Sequence, residues 1–120
     1  MNNQALGQRG EALACEYLRS TGHHIVRTNY QTRRGEIDII ALKDGVLTFV
    51  EVKYRTDLEL GHPAEAITKS KLRKFRVTVL EYLQQDDLPT FTEMKFDAIT
   101  ILEYPGQPPQ LELFEHILGP

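Results

Sequence analysis

The sequence lacks several features that would assign a protein to a large class at once. It contains no tryptophan, and its single cysteine, Cys15, excludes an internal disulfide and is typical of a reducing compartment. No window approaches the roughly 18 apolar residues of a membrane span. Residues 1–10 lack the apolar core of a signal peptide. We therefore expect a cytoplasmic protein that does not enter a membrane, folded as one domain over residues 1–120.

The motifs of several common sites are also missing. His23 and His24 are adjacent, so on a strand they point to opposite faces and cannot jointly hold a metal. No glycine-rich phosphate loop precedes a helix, and no serine or cysteine has the setting of a nucleophile. Glycosidases also use paired carboxylates, but a chain without tryptophan offers few platforms for sugar stacking. We therefore set these classes of site aside.

The charge distribution is uneven along the chain. The net charge of −3 and the isoelectric point of about 5.8 argue against a generally basic nucleic-acid-binding surface. Residues 52–80, however, hold seven basic and three acidic side chains, whereas residues 81–120 hold one basic and eight acidic side chains. A local positive surface can guide a polyanion to an acidic protein. Such a run is equally typical of a solvated helix face.

Hydrophobic periodicity predicts the order helix, strand, strand, strand, helix, strand. The predicted helices span residues 6–21 and 68–85, and the predicted strands span residues 23–30, 36–42, 46–54 and 95–102. Residues 110–118 fit either a final strand or a turn of helix. Two strands joined by a hairpin and one strand reached through a helix predict an α/β protein with a mixed sheet flanked by helices.

The stretch from Gly35 to Arg55 contains the most informative pattern. Asp44-Gly45 is the strongest short-range signal for a two-residue hairpin turn. With that turn, the numbers of opposed residues add to 89. The opposed pairs that share one side of the hairpin are then Leu42 with Leu47, Ile40 with Phe49, Asp38 with Glu51, and Glu36 with Lys53. This side therefore carries an apolar half near the turn and a charged half at its far end.

Asp38 and Glu51 are an unusual pair for opposed positions on neighbouring strands. Their Cβ atoms would lie about 4.5–5.5 Å apart, where like charges destabilise the pair. A divalent cation would remove the conflict, because hard cations bind carboxylate oxygens. The alternative is a three-residue loop, which shifts the register by one, places Asp38 opposite Val50 and leaves the charges solvated.

Two carboxylates followed by a lysine are what metal-dependent cleavage of a phosphodiester requires. The carboxylates hold Mg²⁺ or Mn²⁺, and the lysine stabilises charge that develops on the phosphate. Asp38-x12-Glu51-x-Lys53 matches the PD-(D/E)XK nuclease signature, although Ile37 replaces its proline. The predicted order αβββαβ is also the core order of that superfamily, so the match favours a restriction-endonuclease-like fold.

The chain also resembles the YraN-like family of uncharacterised bacterial proteins over nearly its whole length. The matching segments are Gly7-x-x-Gly10-Glu11-x-x-Ala14 with Tyr17-Leu18, Asn29-Tyr30, Gly35-Glu36-Ile37-Asp38-Ile39-Ile40, Phe49-Val50-Glu51-Val52-Lys53-x-Arg55, Lys71, Tyr82-Leu83 and Phe96-Asp97. That family is similar in fold to archaeal Holliday-junction resolvases, whose first helix contributes an acidic residue to the metal site. The resemblance implies that Glu11 is a third carboxylate. Its place near a helix start also suits a glutamate that only interacts with the helix dipole.

These observations lead to three hypotheses. The first is a metal-dependent nuclease that acts on DNA, with branched or otherwise structured DNA as one class of substrate; resolvase-like action would favour a homodimer. The residues assigned to it are Asp38, Glu51 and Glu11 as metal ligands, Lys53 as the catalytic lysine, Glu36 in support, and Arg33, Arg34, Arg55, Lys69 and Lys71 at phosphates. The second is a non-catalytic nucleic-acid-binding module with the same fold. The third is an interaction domain without a nucleic-acid role.

Overall fold

The computed structural model describes residues 2–118. Its elements are α1 (Asn3–Ser20), β1 (His24–Gln31), β2 (Glu36–Lys43), β3 (Val46–Arg55), a 3₁₀ turn (Pro63–Ala66), α2 (Lys69–Tyr82), β4 (Glu93–Leu102) and β5 (Gln110–Phe114). The predicted order is confirmed, and the undecided tail forms a fifth strand. In this part of the chain, neither helix is long and apolar enough to cross a membrane.

The strands form one mixed sheet in the order β1-β2-β3-β4-β5. Neighbouring strands are antiparallel except β3 and β4, which are parallel and are connected through α2. A parallel pair requires such a crossover, because its two strands run in the same direction. The result is the predicted α/β, restriction-endonuclease-like arrangement of a mixed sheet flanked by helices.

The hairpin has the predicted register from Lys43 to Ile39, but the predicted pairs of Asp38 with Glu51 and of Glu36 with Lys53 lie beyond the last paired row. Asp44 and Gly45 both have positive φ, 50° and 78°, as a tight two-residue turn of this kind requires. Lys43 lies opposite Val46, and the pairing continues to Ile39 opposite Val50. The alternative with a three-residue loop is therefore wrong, since it would place Asp38 opposite Val50.

Each face of the sheet has its own hydrophobic core. The core beneath α1 contains Ala14, Cys15, Leu18, Ile39, Ala41, Val50, Ile99 and Ile101. The core beneath α2 contains Tyr30, Ile37, Ile40, Leu47, Phe49, Phe75, Val79 and Tyr82. Cys15 is thus a small buried side chain of the α1 core. The sheet is covered on both faces, and its functional groups must emerge at strand ends.

The helices begin at polar caps. The side chain of Asn2 accepts a hydrogen bond from the Ala5 amide at 2.8 Å, so α1 begins three residues before the predicted Leu6. The predicted cap of α2 is confirmed, because the Thr68 hydroxyl accepts a hydrogen bond from the Lys71 amide at 3.3 Å.

Candidate active site

The regular alternation of β2 breaks at Asp38. Ile39 packs into the α1 core, whereas Ile37 packs into the α2 core together with Ile40. Asp38 lies between them, beyond the last paired row of β2 and β3, and its Oδ2 accepts a hydrogen bond from the Val52 amide at 2.7 Å. The carboxylate therefore replaces a backbone carbonyl as partner of β3, and the two strands open at this end.

A cavity of about 550 Å³ lies at this opened end, between α1 and the strands β2 and β3. Four predicted site residues line it together with Glu36: Glu11, Asp38, Lys53 and Arg55. Glu11 comes from α1 and is half-buried, which places a third carboxylate in the same cavity. The fold therefore brings together residues from three separate elements.

Glu51 is held by Lys53 rather than being open to the cavity. Lys53 Nζ lies 2.9 Å from Glu51 Oε1, and the two side chains are only 19% and 13% exposed. Glu51 is absent from the residues that line the cavity. A cation that binds Glu51 must therefore compete with this internal ion pair.

Asp38 has a strongly perturbed acidity. Burial is the largest cause and the negative charge of Glu51 is the next, and together they raise the pKa of Asp38 to about 7. The hydrogen bond from Val52 and the charge of Lys53 act in the opposite direction. The expected like-charge conflict between Asp38 and Glu51 is therefore present, although Asp38 is turned toward the backbone of β3.

The basic side of the site includes a second lysine. Burial lowers the pKa of Lys53, but its interactions with Glu51 and Asp38 outweigh that effect, and the net pKa is raised. Lys71 lies beside Lys53, whose charge is the largest cause of a lowered pKa at Lys71. Lys71 therefore belongs to the same cluster of charges, although it does not line the cavity.

The donors suit a hard cation but are not assembled around one position. Asp38 and Glu51 offer carboxylate oxygens, which Mg²⁺ and Mn²⁺ prefer, and the raised pKa of Asp38 is relieved by nearby positive charge. Between residues 2 and 118, no group of three or more His, Cys, Asp or Glu side chains stands where it could hold one metal ion. Metal ligation by Glu11, Asp38 and Glu51 therefore stays a prediction that requires side-chain movement.

The remaining predicted phosphate contacts lie farther out. Arg33 and Arg34 are exposed in the loop between β1 and β2, and Lys69 is the exposed first residue of α2. None of the three lines the cavity. The structure therefore divides the predicted basic residues into a group beside the site, Lys71 and Arg55, and a peripheral group.

Sequence reasoning missed a network that attaches α1 to the site. Tyr54 Oη donates a hydrogen bond to Glu103 Oε1 at 2.6 Å, and Arg9 Nη2 lies 2.8 Å from Glu103 Oε2. The hydrogen bonds from Arg9 and then from Tyr54 lower the pKa of Glu103 to about 2. Glu103 is separated from Tyr54 by 49 positions along the chain. No local pattern could have revealed this contact.

Close packing also sets the position of α1. A Cβ atom placed on Gly10 would lie 2.6 Å from Tyr54 Cβ, so only glycine allows the helix to approach β3 this closely. Glu11 follows directly, which explains why its carboxylate reaches the cavity.

Asn29, also missed, lines the same cavity and has φ 52° in the row of β1 that faces Asp38. Asparagine tolerates this conformation better than most residues, and an asparagine within a strand pattern was the available signal.

Comparison with known proteins places this arrangement in a family. Residues 10–101 match the uncharacterised protein family UPF0102. The UPF0102 protein of Lachnoclostridium phytofermentans is 45% identical over 103 residues, 86% of this chain and 87% of that protein. The UPF0102 protein of Rhodococcus jostii is 43% identical over 111 residues, 92% of this chain and 93% of that protein. The chain therefore belongs to family UPF0102, which confirms its YraN-like resemblance.

Proposed function

We propose that the protein is a nuclease that hydrolyses phosphodiester bonds in DNA with the help of Mg²⁺ or Mn²⁺ held by Asp38 and Glu51. The single observation that supports this most is the carboxylate pair at the opened end of β2 and β3, where burial and the charge of Glu51 raise the pKa of Asp38 to about 7. Two negative charges held this way gain most from a divalent cation. The bound cation would supply Lewis-acid polarisation of the phosphate.

Lys53 gives the site its positive group. Lys53 is one of the residues that line the cavity, and its ammonium pairs with Glu51 at 2.9 Å. In the proposed complex, this ammonium donates to a phosphate oxygen and stabilises the negative charge that grows in the transition state. The same movement releases the Glu51 oxygens for the cation. Substrate and cation thus replace one internal ion pair with two favourable interactions.

Glu11 supplies a third carboxylate to the cavity from α1. In this proposal it adds negative charge beside Asp38 and so increases the attraction for a cation, either as a direct ligand or through water. The contact between Gly10 and Tyr54 holds this part of α1 against β3. We further propose branched DNA as the first substrate class to test, on the strength of the similarity to resolvases.

The test is cleavage of branched, linear and single-stranded DNA in the presence of Mg²⁺ or Mn²⁺. Asp38→Asn and Lys53→Met should each reduce the rate about 100-fold or more, the typical loss when one stabilising group is removed. Asp44→Asn is the matched control, because Asp44 lies at the exposed turn of the same hairpin. Cleavage by the Asp38 variant at the wild-type rate would contradict the proposal.

A non-catalytic nucleic-acid-binding module is the second candidate. The ion pair between Lys53 and Glu51 favours it, because this contact satisfies Glu51 without a metal ion. That protein would bind DNA or RNA equally well in EDTA and would cleave no substrate in the panel. The logarithm of its binding constant would fall linearly with the logarithm of the salt concentration.

A further inference from the structure

Three cationic side chains converge at the end of β3. Lys53 and Arg55 are two residues apart on that strand, so their side chains leave it on the same side. Lys71 approaches from the first turn of α2 and lies beside Lys53. Only Lys53 has a short ion pair within this cluster, and that pair is with Glu51.

The direction of Lys71 follows from the packing of α2. Phe75 and Tyr82 belong to the buried face of this helix, and Lys71 precedes Phe75 by four residues. Residues four apart on a helix lie one above the other on the same face. Lys71 therefore lies on the same side of α2 as the buried face but one turn beyond it, where it is exposed and lies beside Lys53.

In the protein without bound nucleic acid, the position of Lys71 beside Lys53 is electrostatically unfavourable. The charge of Lys53 is the largest cause of the lowered pKa of Lys71, Arg55 adds to it, and Glu51 opposes it. The first turn of α2 contains no acidic residue, so the positive end of the helix dipole faces these cations without compensation. An anion between the lysines would offset these repulsions, because it attracts each of the cations.

Arg55 adds a guanidinium group whose hydrogen bonds are incomplete. Its Nη1 donates to the Tyr54 carbonyl at 3.1 Å. Its Nε is buried and has no hydrogen-bond partner anywhere in residues 2–118. A buried donor without an acceptor is costly, and the guanidinium group is the side chain best matched to phosphate oxygens.

We propose that Lys71 and Arg55, together with Lys53, form a binding site for a backbone phosphate of nucleic acid next to the phosphate at Asp38 and Glu51. This site rests on the proposed function for its substrate, but it needs no divalent cation. Contacts from these positive donors to phosphate oxygens fix the position of the backbone and carry no sequence information. Within residues 2–118, Lys71 forms no salt bridge with an acidic side chain.

The test measures binding of a labelled DNA duplex and a labelled single strand in EDTA, over a range of salt concentrations. Lys71→Met should reduce the magnitude of the slope of log K against log salt by about 0.7–0.9, which is the loss of one phosphate contact. This corresponds to about eightfold weaker duplex binding at about 0.1 M salt. Arg73→Met is the matched control, because Arg73 is an exposed cation on the same helix and is two residues from Lys71. It should change affinity and slope much less.

A thermal unfolding scan of both variants separates binding from folding. Lys71→Met should unfold at the same temperature as the wild-type protein or higher, since it removes a repulsion with Lys53. Equal losses of affinity in Lys71→Met and Arg73→Met would overturn the site, as would failure of the wild-type protein to bind DNA in EDTA. Cleavage that depends on Asp38 would still support the nuclease in either case. Binding that depends on Lys71 with no cleavage would overturn the nuclease alone.

Discussion

Replacing Asp38 by asparagine tests the electrostatic basis of the proposed site. Asparagine retains an oxygen that can accept the hydrogen bond from Val52 but carries no charge. The rise in the pKa of Asp38 from 3.8 to about 7 corresponds to about 4 kcal/mol. Because Asp38 is only partly buried, we expect a measured effect of about 2–4 kcal/mol.

The direction of the pH effect on stability follows from which state of the protein, folded or unfolded, binds the proton more tightly. The folded protein holds the proton of Asp38 with the higher pKa, so this residue favours folding below pH 4 and loses that contribution as the pH rises through about 7. The variant has no such loss. Without added metal, Asp38→Asn should therefore become progressively more stable than the wild-type protein between pH 4 and pH 7, with the full difference at pH 8.

The assay is urea unfolding of both proteins in EDTA from pH 4.5 to pH 8, followed by circular dichroism. All other titrating groups are shared by the two proteins. The difference between their free energies of unfolding therefore reports the contribution of residue 38. Adding Mg²⁺ or Mn²⁺ at pH 8 should stabilise the wild-type protein and leave Asp38→Asn nearly unchanged. A difference in stability that stays constant with pH would refute the assignment of Asp38 to a poorly solvated, negatively charged site.

Two further predictions concern the attachment of α1. Gly10→Ala should lower the free energy of unfolding by about 1–3 kcal/mol, because its methyl group would lie 2.6 Å from Tyr54 Cβ. At Gly7, a Cβ atom would have nothing within 4 Å. Gly7→Ala should therefore leave the free energy of unfolding unchanged or raise it by up to about 1 kcal/mol in the same urea assay. A milder effect at Gly10 than at Gly7 would contradict the close approach. Glu103→Gln should be less stable than the wild-type protein at pH 6, and because the pKa of Glu103 is lowered from 4.5 to about 2, this deficit should shrink as the pH falls from 4.5 toward 2. A deficit independent of pH would argue against the ionised Glu103 as the partner of Tyr54.

Local signals were sufficient for most of the fold. Alternation and helical periodicity predicted both helices and four strands, and Asp44-Gly45 predicted a register that holds from Lys43 to Ile39. The fifth strand was not decided by sequence, because a segment of only five residues, two exposed and three half-buried, does not distinguish a strand from a turn of helix. Pairing with β4 gives this segment its structure.

The site was predictable only in part. The hairpin and its register predict a site with Asp38, Glu51 and Lys53, since pairing of two strands that are adjacent along the chain brings these residues to the same strand ends. The rotation of Asp38 toward Val52 could not be predicted, because ideal alternation would place Ile37 and Ile39 on one face. The competition between Lys53 and the cation for Glu51 also depends on side-chain positions that a register does not define.

The amino-acid sequence by itself determined the order of elements, the hairpin register and the carboxylate–lysine pattern of the site, because all three arise from interactions between residues close along the chain. The tertiary structure alone decided which distant groups join that pattern. Gly10 lets α1 approach Tyr54 and so brings Glu11 to the cavity, while the buried face of α2 directs Lys71 to Lys53. These contacts depend on how helices pack across a sheet, a geometry that no short stretch of sequence contains.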